Sequence, residues 1–219
     1  MTGELSDSET MSKPGTVIVG IQPAGAAHTA VWRALASIAP MAVFAVLIAV
    51  GAQVRIPLPG TDVPMTLQSM AVLLAGYALS PKGAVGATAA YLACGCAGLP
   101  VFAPGSLGLA GPTGGYLIGF VAASWLIARL RGKRDARIGR LVAVGLLGTI
   151  VILTAGVVWR VPWMGGSWRA AAATGVAPFA LKALLQLTVT VALVVAVRGA
   201  TGNFGSSRTE AARGVRPRD

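Results

Sequence analysis

The sequence predicts an all-α integral membrane protein of six transmembrane helices with both termini cytoplasmic. Three observations carry this reading. Of the 219 residues, 55% are hydrophobic and only 11% charged, with a mean hydropathy of +0.73; a soluble domain carries about 25% charged residues. The charges gather in short clusters, and the charge-free intervals between them are long enough to cross a bilayer, which takes about 20 residues. The clusters are also one-sided. With the N-terminus inside, Lys13, Arg33, Lys82, the run Arg129, Arg131, Lys133, Arg134, Arg137 and Arg140, and then Arg198, Arg208, Arg213, Arg216 and Arg218 face the cytoplasm, fourteen of the 18 basic residues. Arg55, Arg160 and Arg169 face outward and Lys182 falls within a span, a strong positive-inside bias.

Residues 1–29 are polar and are expected to form a disordered cytoplasmic tail. A signal peptide fits poorly, because the apolar run that follows is too long and no small-residue cleavage site closes it. The membrane domain is expected over residues 30–199, followed by a basic cytoplasmic tail over 200–219. Its first span is Ala34 to Val54, between two arginines. The second is Val63 to Pro81, between Asp62 and Lys82. No charged side chain occurs between Lys82 and Arg129, an interval too long for one span. The Gly/Pro-rich stretch LPVFAPGSLGLAGPTGGY, Leu99 to Tyr116, divides it into a third and a fourth. The fifth runs from Leu141 to Trp159 and the sixth from Ala170 to Val197. Only Ser80-Pro81-Lys82 joins the second to the third, so these two form a tight hairpin.

Function classes fall away quickly. The net charge of +11 sits at the ends of apolar runs, a pattern for cytoplasmic loops against anionic lipid and not for nucleic acid. The chain contains no GxxxxGK[ST], HExxH or GxSxG motif and no Cys/His ligand set. Of its seven acids, only Asp62 lies near a span. No catalytic residue, metal site or cofactor is expected, and an enzyme is not. Cys94 and Cys96 read as small buried hydrophobes, and His28 has no second histidine to join it.

Two features point to a ligand. The stretch Leu99 to Tyr116 is apolar between its turn residues, where a loop facing water is polar. It either packs at the membrane interface or covers a cavity for an apolar solute. Lys182 lies about 18 Å along a continuous helix from Ala170. An ammonium at such depth is a functional candidate, the alternative being a lysine that snorkels to the interface. Pro178, one turn earlier, is expected to open the helix. Thr66, Gln68, Gln53, Tyr91 and Gln186 are the polar groups able to meet it. An apolar site with few polar groups and one cation suits a small organic carboxylate with an amide-like head. Small residues on the third helix (Gly86, Ala90, Ala93) and the first (Ala42, Ala45, Ala49) suit either internal packing or docking to another membrane protein.

Three motifs then carry a resemblance. VPMTLQ at Val63 to Gln68, YLACGCAGLPVF at Tyr91 to Phe102 and GPTGGYLIGF at Gly111 to Phe120 resemble the BioY family, the biotin-binding S components of energy-coupling-factor (ECF) transporters. AVLIAVGAQVRIPL and GVAPF fit as well, so the likeness runs from about Ala42 to Val197. The resemblance implies a six-helix S-component fold in the cell membrane, with a biotin pocket near the outer face. Its partners would be a transmembrane coupling protein and two ATPase subunits. Binding residues carried over are Thr66, Gln68, Tyr91, Phe102, Gly111, Pro112, Thr113, Gly114, Tyr116 and Lys182, joined by Gln186. Ala42, Ala45 and Ala49 most nearly match the docking residues of the first helix. One departure stands out. The family usually places a short Pro-Gly-Asp segment between PF and the lysine, whereas Pro178-Phe179 here runs through Ala180-Leu181 to Lys182. Gln68 or Gln186 would then accept in place of the missing Asp. Two other functions stay open at this point, an S component for another small carboxylate vitamin and a degenerate membrane protein that binds nothing.

Overall fold

A computed structural model describes residues 24–56, 65–133 and 136–214. The described chain is mostly helical: α1 (Ala24–Gln53), α2 (Gln68–Ala78), α3 (Pro81–Cys96), α4 (Gly114–Leu130), α5 (Ile138–Arg160), α6 (Trp168–Gly175) and α7 (Ala180–Gly214). Two short strands, β1 (Arg55–Ile56) and β2 (Met65–Thr66), pair antiparallel between α1 and α2, with Arg55 opposite Thr66.

Three stretches are long and apolar enough to cross a membrane, Leu35–Gln53, Ile138–Arg160 and Trp168–Ala200, and Gly114–Leu130 is a shorter apolar helix. The first and fifth expected spans are therefore present nearly as read. The second is cut short. Met65 and Thr66 are used in strand pairing, which leaves α2 only 11 residues, about 16 Å of helix. The sixth is broken in two. Pro178 lies in a 3-10 turn, Ala177–Phe179, between α6 and α7, because its ring cannot follow in a continuous helix. Lys182 is thus in the first turn of α7, and the depth reckoned along one unbroken helix does not apply. At the ends, α1 begins at Ala24, inside the stretch expected as tail, and α7 continues to Gly214. The rest of both tails lies outside the described residues, as do Asp62, Val63 and Pro64.

The helices pack through small residues. A Cβ on Gly115 would overlap Trp159 and the Ala155 carbonyl. A Cβ on Gly119 would lie 3.0 Å from Ile152 Cα, and one on Gly156 would overlap the Tyr116 ring. Gly115 and Gly119 thus let α4 lie directly on α5. Gly86 of α3 faces Met41 of α1 at similarly close range, whereas Ala90 and Ala93 are exposed. Ser80 caps α3 by accepting from the Gly83 N–H at 3.2 Å, with Pro81 at the first helical position, so the α2–α3 hairpin turns tightly.

One core cluster joins Ile48, Val72, Tyr91, Tyr116, Phe120, Ile152 and Phe179 at one end of the bundle. A second, with Leu73, Tyr77, Ile127, Leu141 and Leu187, continues toward the other end. Large hydrophobics are exposed along the outside, among them Val43, Val46, Val50, Ile150, Leu185 and Leu193. Such a surface is matched by lipid, not by water. Two expectations change. Cys94 and Cys96 are exposed free thiols, because they end α3 on its outer side. Arg160, read as an outward loop charge, is fully buried at the end of α5, where its Nη2 donates to Thr174 Oγ1 at 3.0 Å and ties α5 to α6.

Candidate functional site

A cavity opens at the end of the bundle where β1 and β2, the loop after α3 and the start of α7 meet. It encloses about 830 Å³ of space, open mouth included. Its floor is polar and cross-linked. Thr66 Oγ1 donates to Gln68 Oε1 at 3.0 Å, and Gln68 Nε2 donates to the Tyr91 hydroxyl. Ser69 Oγ donates to Gln186 Oε1 at 2.6 Å, and Gln186 Nε2 donates to the Thr66 carbonyl at 2.9 Å. Strand β2 and helices α2, α3 and α7 are thereby joined through two buried glutamines. Each amide nitrogen carries two N–H donors, and these bonds use one of them.

Lys182 lines the same cavity one helical turn from Gln186, with Nζ 5.8 Å from the centroid of the Phe179 ring. Phe179 in turn lies 6.3 Å from Tyr116, whose hydroxyl donates to the Gly175 carbonyl at 2.8 Å. The break between α6 and α7 is therefore clamped to α4, and it sets Lys182 at the rim of the floor. Leu73, Leu117, Phe120, Ile152 and Leu153 make the remaining wall apolar.

The loop between α3 and α4 closes the side: Phe102, Ala103, Ser106 and Thr113 all face the cavity. Phe102 is fixed by what its neighbours lack. A Cβ on Gly95 or on Gly108 would overlap its ring, and Tyr91 meets it edge-on at 5.6 Å. The loop is fastened from α1 and β1. Gln53 Nε2 lies 3.4 Å from the carbonyls of Pro100 and Phe102, and Arg55 Nη1 donates to the Pro104 carbonyl at 2.7 Å.

Of the residues selected from the sequence, Thr66, Gln68, Phe102, Thr113, Tyr116, Lys182 and Gln186 line one cavity. Tyr91 stands behind Gln68 as its hydrogen-bond partner. Gly111, Pro112 and Gly114 are not among the lining residues. The Gly111 carbonyl accepts from Trp159 Nε1 at 3.0 Å, and a Cβ on Gly114 would lie 2.5 Å from the Leu109 carbonyl. In α1, Ala42 is exposed, whereas Ala45 and Ala49 are half-buried against the cluster around Ile48. Lining residues not singled out from the sequence include Ser69, Ser106 and Thr149. Thr149 is one of two hydroxyl-bearing residues in the apolar α5, and its Oγ1 also donates to the Gly145 carbonyl of its own helix at 2.9 Å.

Chemically, the site offers amide and hydroxyl groups able both to donate and to accept, one ammonium, and aliphatic and aromatic walls. That combination fits an uncharged polar head, an apolar body and no bulky charge.

Known proteins resemble this chain over most of its length. The model of the BioY family matches residues 24–203. A biotin transporter BioY of Thermotoga maritima is 38% identical over 159 residues, covering 71% of this chain and 90% of that protein. A probable biotin transporter BioY of Pyrococcus horikoshii is 34% identical over 164 residues, covering 74% and 95%. Among solved structures, the S-component for biotin from an ECF-type ABC transporter superposes with a TM-score of 0.68 at 26% identity, covering 76% of this chain and 93% of that one.

Proposed function

The chain belongs to the BioY family, and from that premise we propose that it captures biotin as the S component of an ECF-type transporter. The observation that carries the proposal is the cavity itself: two cross-linked glutamines and one lysine at the polar end of an otherwise apolar chamber. Biotin has matching parts. Its ureido ring meets the floor, where the ring carbonyl accepts from Lys182 Nζ and the remaining amide N–H groups, and the ring N–H groups donate to Gln68 or Gln186. Its thioether ring and aliphatic chain lie along Phe102, Leu117, Phe120 and Ile152. Gln53 and Arg55 hold the side wall shut over it. In this reading Gln68 or Gln186 accepts in place of the Asp that the family resemblance leads one to expect between Phe179 and Lys182.

In the membrane, the chain crosses six times, with α6 and α7 together forming the last crossing, and both termini are cytoplasmic. The distribution of Lys and Arg supports this. It is a multi-pass protein of the cell membrane. Lacking a phosphate-binding loop of its own, it draws energy from a transmembrane coupling protein and two ATPase subunits, docking through the α1 side on which Ala42 is exposed.

The experiment is a biotin titration of the purified full-length protein beside Lys182→Ala. Saturable binding by the parent, weakened by on the order of tenfold or more in the variant, is the expected result, since hydrogen bonds to charged groups are worth about 1.5–3 kcal/mol. Gln68→Ala and Gln186→Ala are the companion variants. If both bind biotin as the parent does, the glutamines do not replace the missing carboxylate. If the folded parent binds no biotin, the function is not biotin capture.

A further inference from the structure

The chain between α5 and α7 is longer than a membrane crossing needs. α5 has 23 residues, about 34 Å of helix, against about 30 Å of hydrocarbon. In α7, Ala180 to Val197 alone supplies about 27 Å. The turn over residues 161–167 and the eight residues of α6 are therefore surplus to the crossing. They are folded all the same. The Met164 and Gly166 N–H groups both donate to the Val161 carbonyl, at 3.1 and 3.0 Å, and the Ser167 N–H donates to the Met164 carbonyl at 3.2 Å. Ser167 Oγ caps α6 by accepting from the Ala170 N–H at 3.2 Å. The bonds from Arg160 to Thr174 and from Tyr116 to Gly175 then hold α6 at the end of α5, at the end of the bundle that carries the cavity.

This segment has the composition of a membrane boundary. Three of the chain's five tryptophans fall within residues 159–168. Trp163 is 49% exposed and Trp168 59%. Trp159, at the end of α5, is 38% exposed and donates its indole N–H to the Gly111 carbonyl at 3.0 Å. Arg169 follows Trp168 directly and is exposed, and no acid occurs in residues 136–209. In water the two rings would add to an exposed apolar patch. In the hydrocarbon the Arg169 charge would be costly. Headgroup depth satisfies both: an indole ring meets the ends of the acyl chains while its N–H meets polar groups, and phosphodiester anions lie within reach of the guanidinium.

We propose that the α5–α6 turn and α6 form an interfacial anchor whose partner is the phospholipid headgroup layer, with Trp163 and Trp168 held at its depth. This surface is continuous with the lipid-facing exterior of α5. The proposal uses neither the identity of the cavity's ligand nor the side of the membrane that this end faces. Its consequence for the cavity is positional. The 3-10 turn that sets Lys182 at the rim of the floor follows α6 immediately, so the anchor fixes the depth of that break in the bilayer.

The full-length protein, labelled with fluorotryptophan, is placed in nanodiscs of phosphatidylcholine and phosphatidylglycerol. Fluorine NMR spectra are recorded with each of three relaxation probes: a lipid with a nitroxide on its headgroup, a lipid with a nitroxide near the end of an acyl chain, and a water-soluble gadolinium chelate. Trp163→Phe and Trp168→Phe each remove, and so assign, one of the five resonances; the other four, unshifted, report that the variant is folded. The expected result is that the Trp163 and Trp168 signals broaden most, to the point of loss, with the headgroup nitroxide. Stronger broadening by the chelate would put the turn in water, and stronger broadening by the chain nitroxide would put it in the hydrocarbon. No broadening by any probe would show it covered by protein, as by a second copy of the chain. Each of these three results overturns the proposal.

Discussion

At the scale of single residues, the site divides into groups that touch the cavity and groups that hold those groups still. Gly95 is the clearest of the second kind. It sits between two exposed cysteines, yet the glycine and not the thiols bears on the cavity, because the Phe102 ring occupies the space a Cβ would need. Replacing Gly95 by Val is expected to push Phe102 into the cavity and to weaken biotin binding by at least tenfold, with the helical circular dichroism spectrum unchanged. Binding at the parental level would mean that Phe102 does not shape the pocket. The polar floor was legible in the sequence for a simple reason. Thr66, Gln68, Gln186 and Lys182 are conspicuous in a chain with so few polar side chains inside its apolar runs. Ser69 and Thr149 were not, since small hydroxyls can satisfy themselves on a carbonyl of their own helix and give no sign of facing a ligand. Glycines were the least readable. Gly111 and Gly114 share a motif with Thr113 and Tyr116, but whether a glycine makes room for a ligand or for Leu109 depends on a partner that the local sequence does not name.

At the scale of elements, the first and fifth spans were legible as intervals between charges, and the breaks in others were less so. Pro178 announced a defect in the last span, but only the structure shows that a 3-10 turn interrupts it, locked by Tyr116 to Gly175. The strand pair that shortens α2 was invisible because two residues are too few to establish an alternating pattern. The α4–α5 contact gives a test at this scale. Gly119→Leu drives a side chain into Ile152 and Ala155, and overpacking of this kind costs about 1–3 kcal/mol. A lowered thermal midpoint in detergent is expected, with biotin protecting the variant as it does the parent. An unchanged midpoint would show that the two helices can separate without loss.

At the scale of the whole molecule, the two ends of the bundle are chemically opposite: a chamber with neutral amides and one lysine at one end, a dense basic turn at the other. The sequence displayed that polarity directly through its lysines and arginines, whereas the shape of the chamber depends on contacts between residues more than 100 positions apart, such as Ser69 with Gln186. Closure of the chamber is likewise a property of the assembled whole, since α1 and β1 hold a loop that follows α3. Arg55→Ala is expected to speed biotin dissociation by about threefold to tenfold, the effect of losing one hydrogen bond, while association is little changed; stopped-flow exchange of labelled biotin measures both. Equal dissociation rates would rule out the contact as a closure. The manner of that closure has a consequence for change. Gln53 and Arg55 grip the carbonyl oxygens of Pro100, Phe102 and Pro104, which every amino acid possesses. The clasp is therefore indifferent to which side chains hang from the loop. Ala103 and Ser106 can be exchanged to fit a different guest while the clasp stays fastened, so this wall offers the simplest place from which a new specificity can arise or be engineered.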